Sequence, residues 1–163
     1  MQIYLLRHGI AEDAPPGTSD AERALTREGR RKLTQVLNAA AEAEVRPTLI
    51  LSSPLKRALQ TADLAKQVLG YKGEILQVNA LVPHSTPEQA WDEIRLHKDQ
   101  SSLLVVGHNP LFDSLAAYLL GSSEMAISFK KGSILRLDLQ SFSAKPKGKL
   151  RWYLTPKLAA ARD

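Results

Sequence analysis

The chain has 163 residues, is 44% hydrophobic and 24% charged, carries a formal net charge of +5 and contains no cysteine. Residues 1–163 therefore read as a single domain with a substantial core. The missing thiol excludes disulfides, thiolate zinc sites and any cysteine nucleophile. The basic excess lies entirely at the end, where Lys145, Lys147, Lys149, Arg151, Lys157 and Arg162 face only Asp163. Lys145-Pro146-Lys147-Gly148-Lys149 has no interleaved aromatics and reads as a solvated turn between two late strands rather than a nucleic-acid surface. No apolar stretch approaches a membrane span, and Met1-Gln2-Ile3 lacks the features of a secretory signal. A cytoplasmic protein without nucleic-acid or membrane partners is expected.

Along the chain, apolar runs of strand length alternate with helical patterns. Ile3–Leu6 opens the series and delivers Arg7, His8 and Gly9 to its C-terminal end. The segment Ala11–Glu22, with Pro15-Pro16-Gly17, is a long loop. Thr26 caps a helix that starts near Gly29, whose buried stripe is Leu33, Val36, Leu37 and Ala40. Leu49–Leu51 is the second strand. It ends at Ser53-Pro54, a capping side chain before a proline suited to the first helical position, and the helix carries Leu55, Ala58, Leu59, Ala62 and Ala65 on its apolar face. Ile75–Val78 is a third strand, and Thr86-Pro87 with Gln89 forms a capping box for the next helix. Leu103–Val106 is the fourth strand, followed by Gly107-His108-Asn109-Pro110, where Asn109 caps a helix with Leu111, Leu115, Ala116 and Leu119. Ile134–Leu139 and Leu150–Leu154 complete the strands. The alternation indicates a mainly parallel sheet with helices on both faces.

In open α/β sheets, ligands bind at the C-terminal strand edge. Three strand ends bring Arg7, His8, Arg57 and His108 to that edge, together with two helix N-termini that favour an anion. Taken singly, each arginine reads as a surface ion-pair residue and each histidine as structural, and His84 and His97 keep that reading. A cationic Arg57 in a first helical turn is electrostatically unfavourable for the helix. Its placement there points to an anionic ligand, and the four residues together describe a phosphate pocket.

Arg7-His8-Gly9, Ser53-Pro54-Leu55-Lys56-Arg57 and Gly107-His108-Asn109 resemble, in order, the three signature segments of the histidine phosphatase superfamily. Arg23-Ala24-Leu25-Thr26-Arg27-Glu28-Gly29 and Lys131-Gly132-Ser133 resemble the small SixA-type phosphohistidine phosphatases, and the likeness runs from Ile3 to about Tyr153. It implies a three-layer α/β/α fold of the phosphoglycerate mutase-like kind. It also implies His8 as nucleophile through a phosphohistidine intermediate, with Arg7, Arg57, His108 and Asn109 holding the phosphate. No metal or cofactor is expected.

One departure bears on the substrate. Family members acting on monoesters carry a catalytic glutamate two residues after a leucine, in the segment after the third strand; here that stretch is Leu81-Val82-Pro83. An alkoxide leaves poorly without a proton donor, whereas a phosphorylated imidazole protonated on its ring leaves as neutral imidazole. Glu12, Glu88 and Asp92 remain as donors, although Glu88 and Asp92 fit better as helix-start carboxylates. Only a short stretch separates Pro83 from Gly107, leaving little to cover a small substrate. A phosphohistidine on a partner protein is the expected substrate, for example on a histidine-containing phosphotransfer domain. Two alternatives stand beside it: a phosphatase of small monoesters that draws an acid from the Ala11–Glu22 loop, and a non-catalytic phosphate-binding protein.

Overall fold

The computed structural model describes residues 1–162. Six strands form one sheet: β1 (Gln2–Arg7), β2 (Leu49–Ser52), β3 (Ile75–Gln77), β4 (Ser102–Gly107), β5 (Ile134–Asp138) and β6 (Lys149–Leu154). Their order is β3-β2-β4-β1-β5-β6. β3, β2, β4 and β1 are mutually parallel, and the β1–β5 and β5–β6 pairs are antiparallel. Five α-helices lie among the described residues: α1 (Arg27–Glu42), α2 (Lys56–Leu69), α3 (Pro87–Arg95), α4 (Leu111–Leu119) and α5 (Pro156–Ala160). All six expected strands are present, their ends shifted by a residue or so.

Successive side chains of a strand point to opposite faces, so each central strand feeds two cores. Ile3, Leu5, Leu51, Leu103 and Val105 pack with Trp91 and Ile94 of α3 and with Phe112 and Leu115 of α4. Tyr4, Leu6, Ile50, Leu104 and Val106 pack with Leu33, Val36 and Leu37 of α1 and Ala58, Ala62 and Ala65 of α2. Helices thus cover both faces, which is why β1 and β4 are nearly uninterrupted apolar runs. The sheet edges differ in character. β3 is three residues long, and β6 turns exposed Lys149 and Arg151 outward, a charged edge that discourages further strand pairing.

The β5–β6 connection corrects the reading of Lys145–Lys149 as a simple solvated turn. The three lysines are exposed, but Pro146 is buried. The connection is tied to the helices beneath it: Trp91 Nε1 donates to the Ser143 carbonyl at 2.8 Å, Tyr118 Oη donates to the Ala144 carbonyl, and Gly148 N donates to the Leu119 carbonyl at 2.7 Å. Local composition reveals the lysines; the anchoring depends on residues from α3 and α4.

Two helix starts also differ from expectation. Thr26 caps α1 by accepting from Gly29 N, and Thr86 with Gln89 makes the capping box of α3. Ser53 does not cap α2, which begins at Lys56 with Leu55 at its N-cap. Asn109 does not cap α4, whose N-cap is Pro110. Both side chains bond elsewhere, within the cluster described next.

Candidate active site

β1 and β4 lie side by side with Arg7 opposite Gly107. After β1 the chain passes through α1 to β2, on one side of the pair, and after β4 it passes through α4 to β5, on the other. α1 and α4 pack on opposite faces. Connections that diverge from adjacent strand ends open a crevice there. His8 and His108 are the first residues beyond the two strands, and their rings approach to 4.9 Å between centroids. His8 N donates to the Gly107 carbonyl at 3.0 Å, prolonging the ladder by one bond.

Close backbone packing supports this edge. Gly29 of α1 lies against the chain beyond His8, where an added Cβ would fall on the Ile10 carbonyl oxygen. Gly9 N donates to Thr61 Oγ1 of α2 at 3.2 Å. Gly132 N donates to the carbonyls of Arg7 and His8, and Gly132 has φ of +73°, a conformation glycine adopts without steric cost. The Lys130–Ser133 turn is thereby fixed beside the nucleophile candidate.

Hydrogen bonds orient both imidazoles. His8 Nδ1 lies 2.7 Å from the Gly9 carbonyl. A carbonyl only accepts, so Nδ1 carries the proton and Nε2 the lone pair. His108 Nε2 lies 2.8 Å from Ser53 Oγ, which also accepts from Leu55 N at 3.3 Å. All of these groups are satisfied when the serine hydroxyl donates to Nε2, leaving the proton of His108 on Nδ1. Ser53 therefore orients a histidine instead of capping a helix.

Both histidines are buried, at 5% and 1% exposure. Burial holds each well below the ordinary histidine value, to about 3. Arg57, Arg7 and Lys131 reinforce this at His8, against the opposing pull of the Gly9 carbonyl. At His108, His8, Arg57 and Arg7 add to burial, and Asp20 opposes them. Both rings are therefore neutral at ordinary pH.

The two arginines flank the pair. Arg7 Nη1 donates to the Phe129 carbonyl. Arg57, 4% exposed, gives Nη1 to the Asp20 carbonyl at 2.9 Å and Nη2 to Asp20 Oδ2 at 3.0 Å. Arg7 Nε, Arg57 Nε and His108 Nδ1 are buried and have no protein partner. An unpaired buried donor costs about 1–3 kcal/mol, so three in one cluster call for an acceptor. An oxyanion is the acceptor whose chemistry suits guanidinium and imidazole donors. Asn109 sits beside them differently: its Nδ2 donates to the Phe129 carbonyl at 3.2 Å, leaving Oδ1 buried. Its Nδ2 shares the Phe129 carbonyl with Arg7 and keeps a second N–H.

Asp20 was not among the residues singled out from the sequence. It belongs to a short 3-10 turn, Asp20–Glu22, in the long loop after β1. A signal did exist, since Ala11–Glu22 carries acidic residues directly after a motif rich in unpaired cations. Arg23 and Arg57 hold its carboxyl below the ordinary range. Of the other candidate donors, Asp92 pairs with Arg95 at 2.7 Å, and Glu12 and Glu88 are exposed. The carbonyl of Leu81 would lie 3.3 Å from a Cβ added at Gly107. The stretch Leu81–Pro83 therefore does pass the His108 turn, and it brings no acid there. A surface cavity of about 760 Å³ lies over α4 between Tyr118, Met125 and Ile127, and none of the four cluster residues lines it. Among the described residues, no group of three or more His, Cys, Asp or Glu side chains is placed to share a metal ion, and no helix is long and apolar enough to cross a membrane.

Known proteins similar to this chain point to one family. The profile of the histidine phosphatase superfamily (branch 1) matches residues 3–81. An uncharacterized protein of Picosynechococcus sp. is 33% identical over 141 residues, 84% of each chain. The chain belongs to the histidine phosphatase superfamily. Membership supports a phosphatase activity and agrees with the phosphoglycerate mutase-like fold. Among solved structures, the chain is similar to the protein histidine phosphatase SixA complexed with tungstate, with a TM-score of 0.87 and 26% identity over 96% of this chain and 98% of that one. The alpha-ribazole phosphatase of Shigella flexneri shares the fold, with a TM-score of 0.69 and 18% identity over 96% of this chain and 97% of that one.

Proposed function

We propose that the protein is a phosphohistidine phosphatase, removing phosphate from a histidine of a partner protein. His8 Nε2 attacks phosphorus while the substrate P–N bond breaks. The leaving imidazole, protonated on its other ring nitrogen, departs neutral. Water then hydrolyses phospho-His8 to inorganic phosphate. The bond from His8 Nδ1 to Gly9 fixes the attacking tautomer, and burial keeps the ring neutral, so no base is needed to activate it. Arg7 Nε, Arg57 Nε and His108 Nδ1 are suited to the equatorial oxygens, where charge is held in the transition state. Asn109 braces the carbonyl that holds Arg7, and its second N–H is suited to the phosphate. The Arg7 and Arg57 guanidinium groups supply positive charge to the transferring phosphoryl group.

The observation that carries the substrate class is that Leu81–Pro83 passes the His108 turn and brings no acid there, so an alkoxide leaving group finds no proton donor in that stretch. Asp20, the acid that the long loop brings to Arg57, has its carboxyl held below the ordinary range by Arg23 and Arg57, which disfavours the protonated form a donor needs. The likeness to a protein histidine phosphatase points the same way. Turnover of a phosphohistidine peptide should exceed that of sugar phosphates by at least about a hundredfold in kcat/KM, with an aryl phosphate between them because its leaving group is good. Equal turnover of sugar phosphate and phosphohistidine would reject the assignment.

A further inference from the structure

We infer that Asp20 is a positioning residue, which holds one edge of the Arg57 guanidinium so that its Nε edge faces the transferring phosphoryl group. This rests on the phosphatase reading for the role of Arg57. The Asp20 carbonyl takes Nη1 at 2.9 Å and its carboxylate takes Nη2 at 3.0 Å, leaving Nε buried and unpartnered. A guanidinium gripped at two nitrogens can neither rotate nor slide along its plane.

Three further observations give this contact a purpose beyond stability. Arg57 lies in the first turn of α2, where the helix dipole disfavours a cation, and among the described residues Asp20 is the one carboxylate paired with it. The Asp20 side chain is 60% exposed, so its ion pairs add little to folding. Asp20 is nonetheless held in place: Arg23 Nη1 donates to its Oδ1 at 3.0 Å, and Arg23 Nε donates to the Glu12 carbonyl at 2.7 Å. The loop is closed behind it by the Ala11–Leu25 bridge and the bond from Glu12 N to the Ala24 carbonyl. An exposed residue so restrained, with one buried partner inside the site, is built to place that partner.

The alternative use of the same contact is competition, with Asp20 occupying Arg57 until an anion displaces it. The two roles have opposite consequences. In Asp20→Ala, which keeps the backbone carbonyl but loses the carboxylate, positioning requires kcat to fall about tenfold with a smaller change in KM, because small misplacements of a transition-state group are costly. Affinity for orthovanadate, measured by calorimetry, should weaken by about the same factor. Asp20→Asn, which still offers an oxygen to Nη2, should recover part of both losses. In an Arg57→Gln background, Asp20→Ala should add nothing further. The urea midpoint should not move. Unchanged or tighter vanadate binding in Asp20→Ala, or a loss that persists without Arg57, would overturn the assignment. Vanadate binding needs no turnover, so this result stands apart from the substrate question: a wild-type protein that binds vanadate but cleaves no phosphoramidate would refute the phosphatase reading alone.

Discussion

Lowering the pH from 7.5 to 4.5 should destabilise the protein through its paired histidines. Each is held at about 3 in the folded state against 6.5 when unfolded, chiefly by burial. Between those values the unfolded chain binds a proton that the folded chain refuses. Stability from this source is therefore complete above pH 6.5 and is lost as pH falls toward 3. At about 1.36 kcal/mol per unit, the step costs about 2.7 kcal/mol for one such histidine and up to about 5 kcal/mol for both. That is a large share of the 5–15 kcal/mol typical of a domain. Asp20 does not confuse the window, since Arg23 and Arg57 hold its carboxyl below the ordinary carboxylate range. Urea unfolding at the two pH values, for wild type, His8→Gln, His108→Gln and the double variant, measures the effect. Each substitution should reduce the stability difference between the two pH values by about 2–3 kcal/mol. A double variant with the acid sensitivity of wild type would refute the reasoning.

The arginine fork and the glycine contact can be tested by single substitutions. Arg57→Lys keeps the charge but loses the planar edge, so kcat/KM should fall about a hundredfold with little change in unfolding midpoint; activity within about threefold of wild type would show that charge alone suffices. Gly29→Ala forces a Cβ onto the Ile10 carbonyl oxygen, with the Ile10 nitrogen 2.9 Å away. Denaturant unfolding should show a loss of about 2–3 kcal/mol, and kcat should fall as well, because the displaced segment carries Gly9 and His8.

The sheet and the convergence of the four site residues were legible in the sequence for one reason. Buried central strands are short apolar runs, and the residue after each run must fall at the edge. Arg7, His8 and His108 follow directly from that rule, and Arg57 from the helix that comes next. Local pattern failed where a side chain had two possible partners. Ser53 before Pro54 and Asn109 before Pro110 have the form of helix caps, yet His108 and the Phe129 carbonyl outcompete the helix ends for them. No pattern within a few residues can register that competition. Asp20 was missed because its bond to Arg57 spans 37 residues of chain and has no periodicity to announce it. The anchoring of the β5–β6 connection by Trp91, 52 residues from Ser143, was invisible for the same reason.

The central claim is that His8 Nε2 takes the phosphoryl group. Mixing the protein with a phosphoramidate, quenching within the first turnover and mapping the phosphopeptide by mass spectrometry tests it directly. The expected result is one acid-labile, base-stable phosphate on His8, absent from His8→Ala, which should also lose turnover. Full activity in His8→Ala, or phosphate found on another residue, would contradict it.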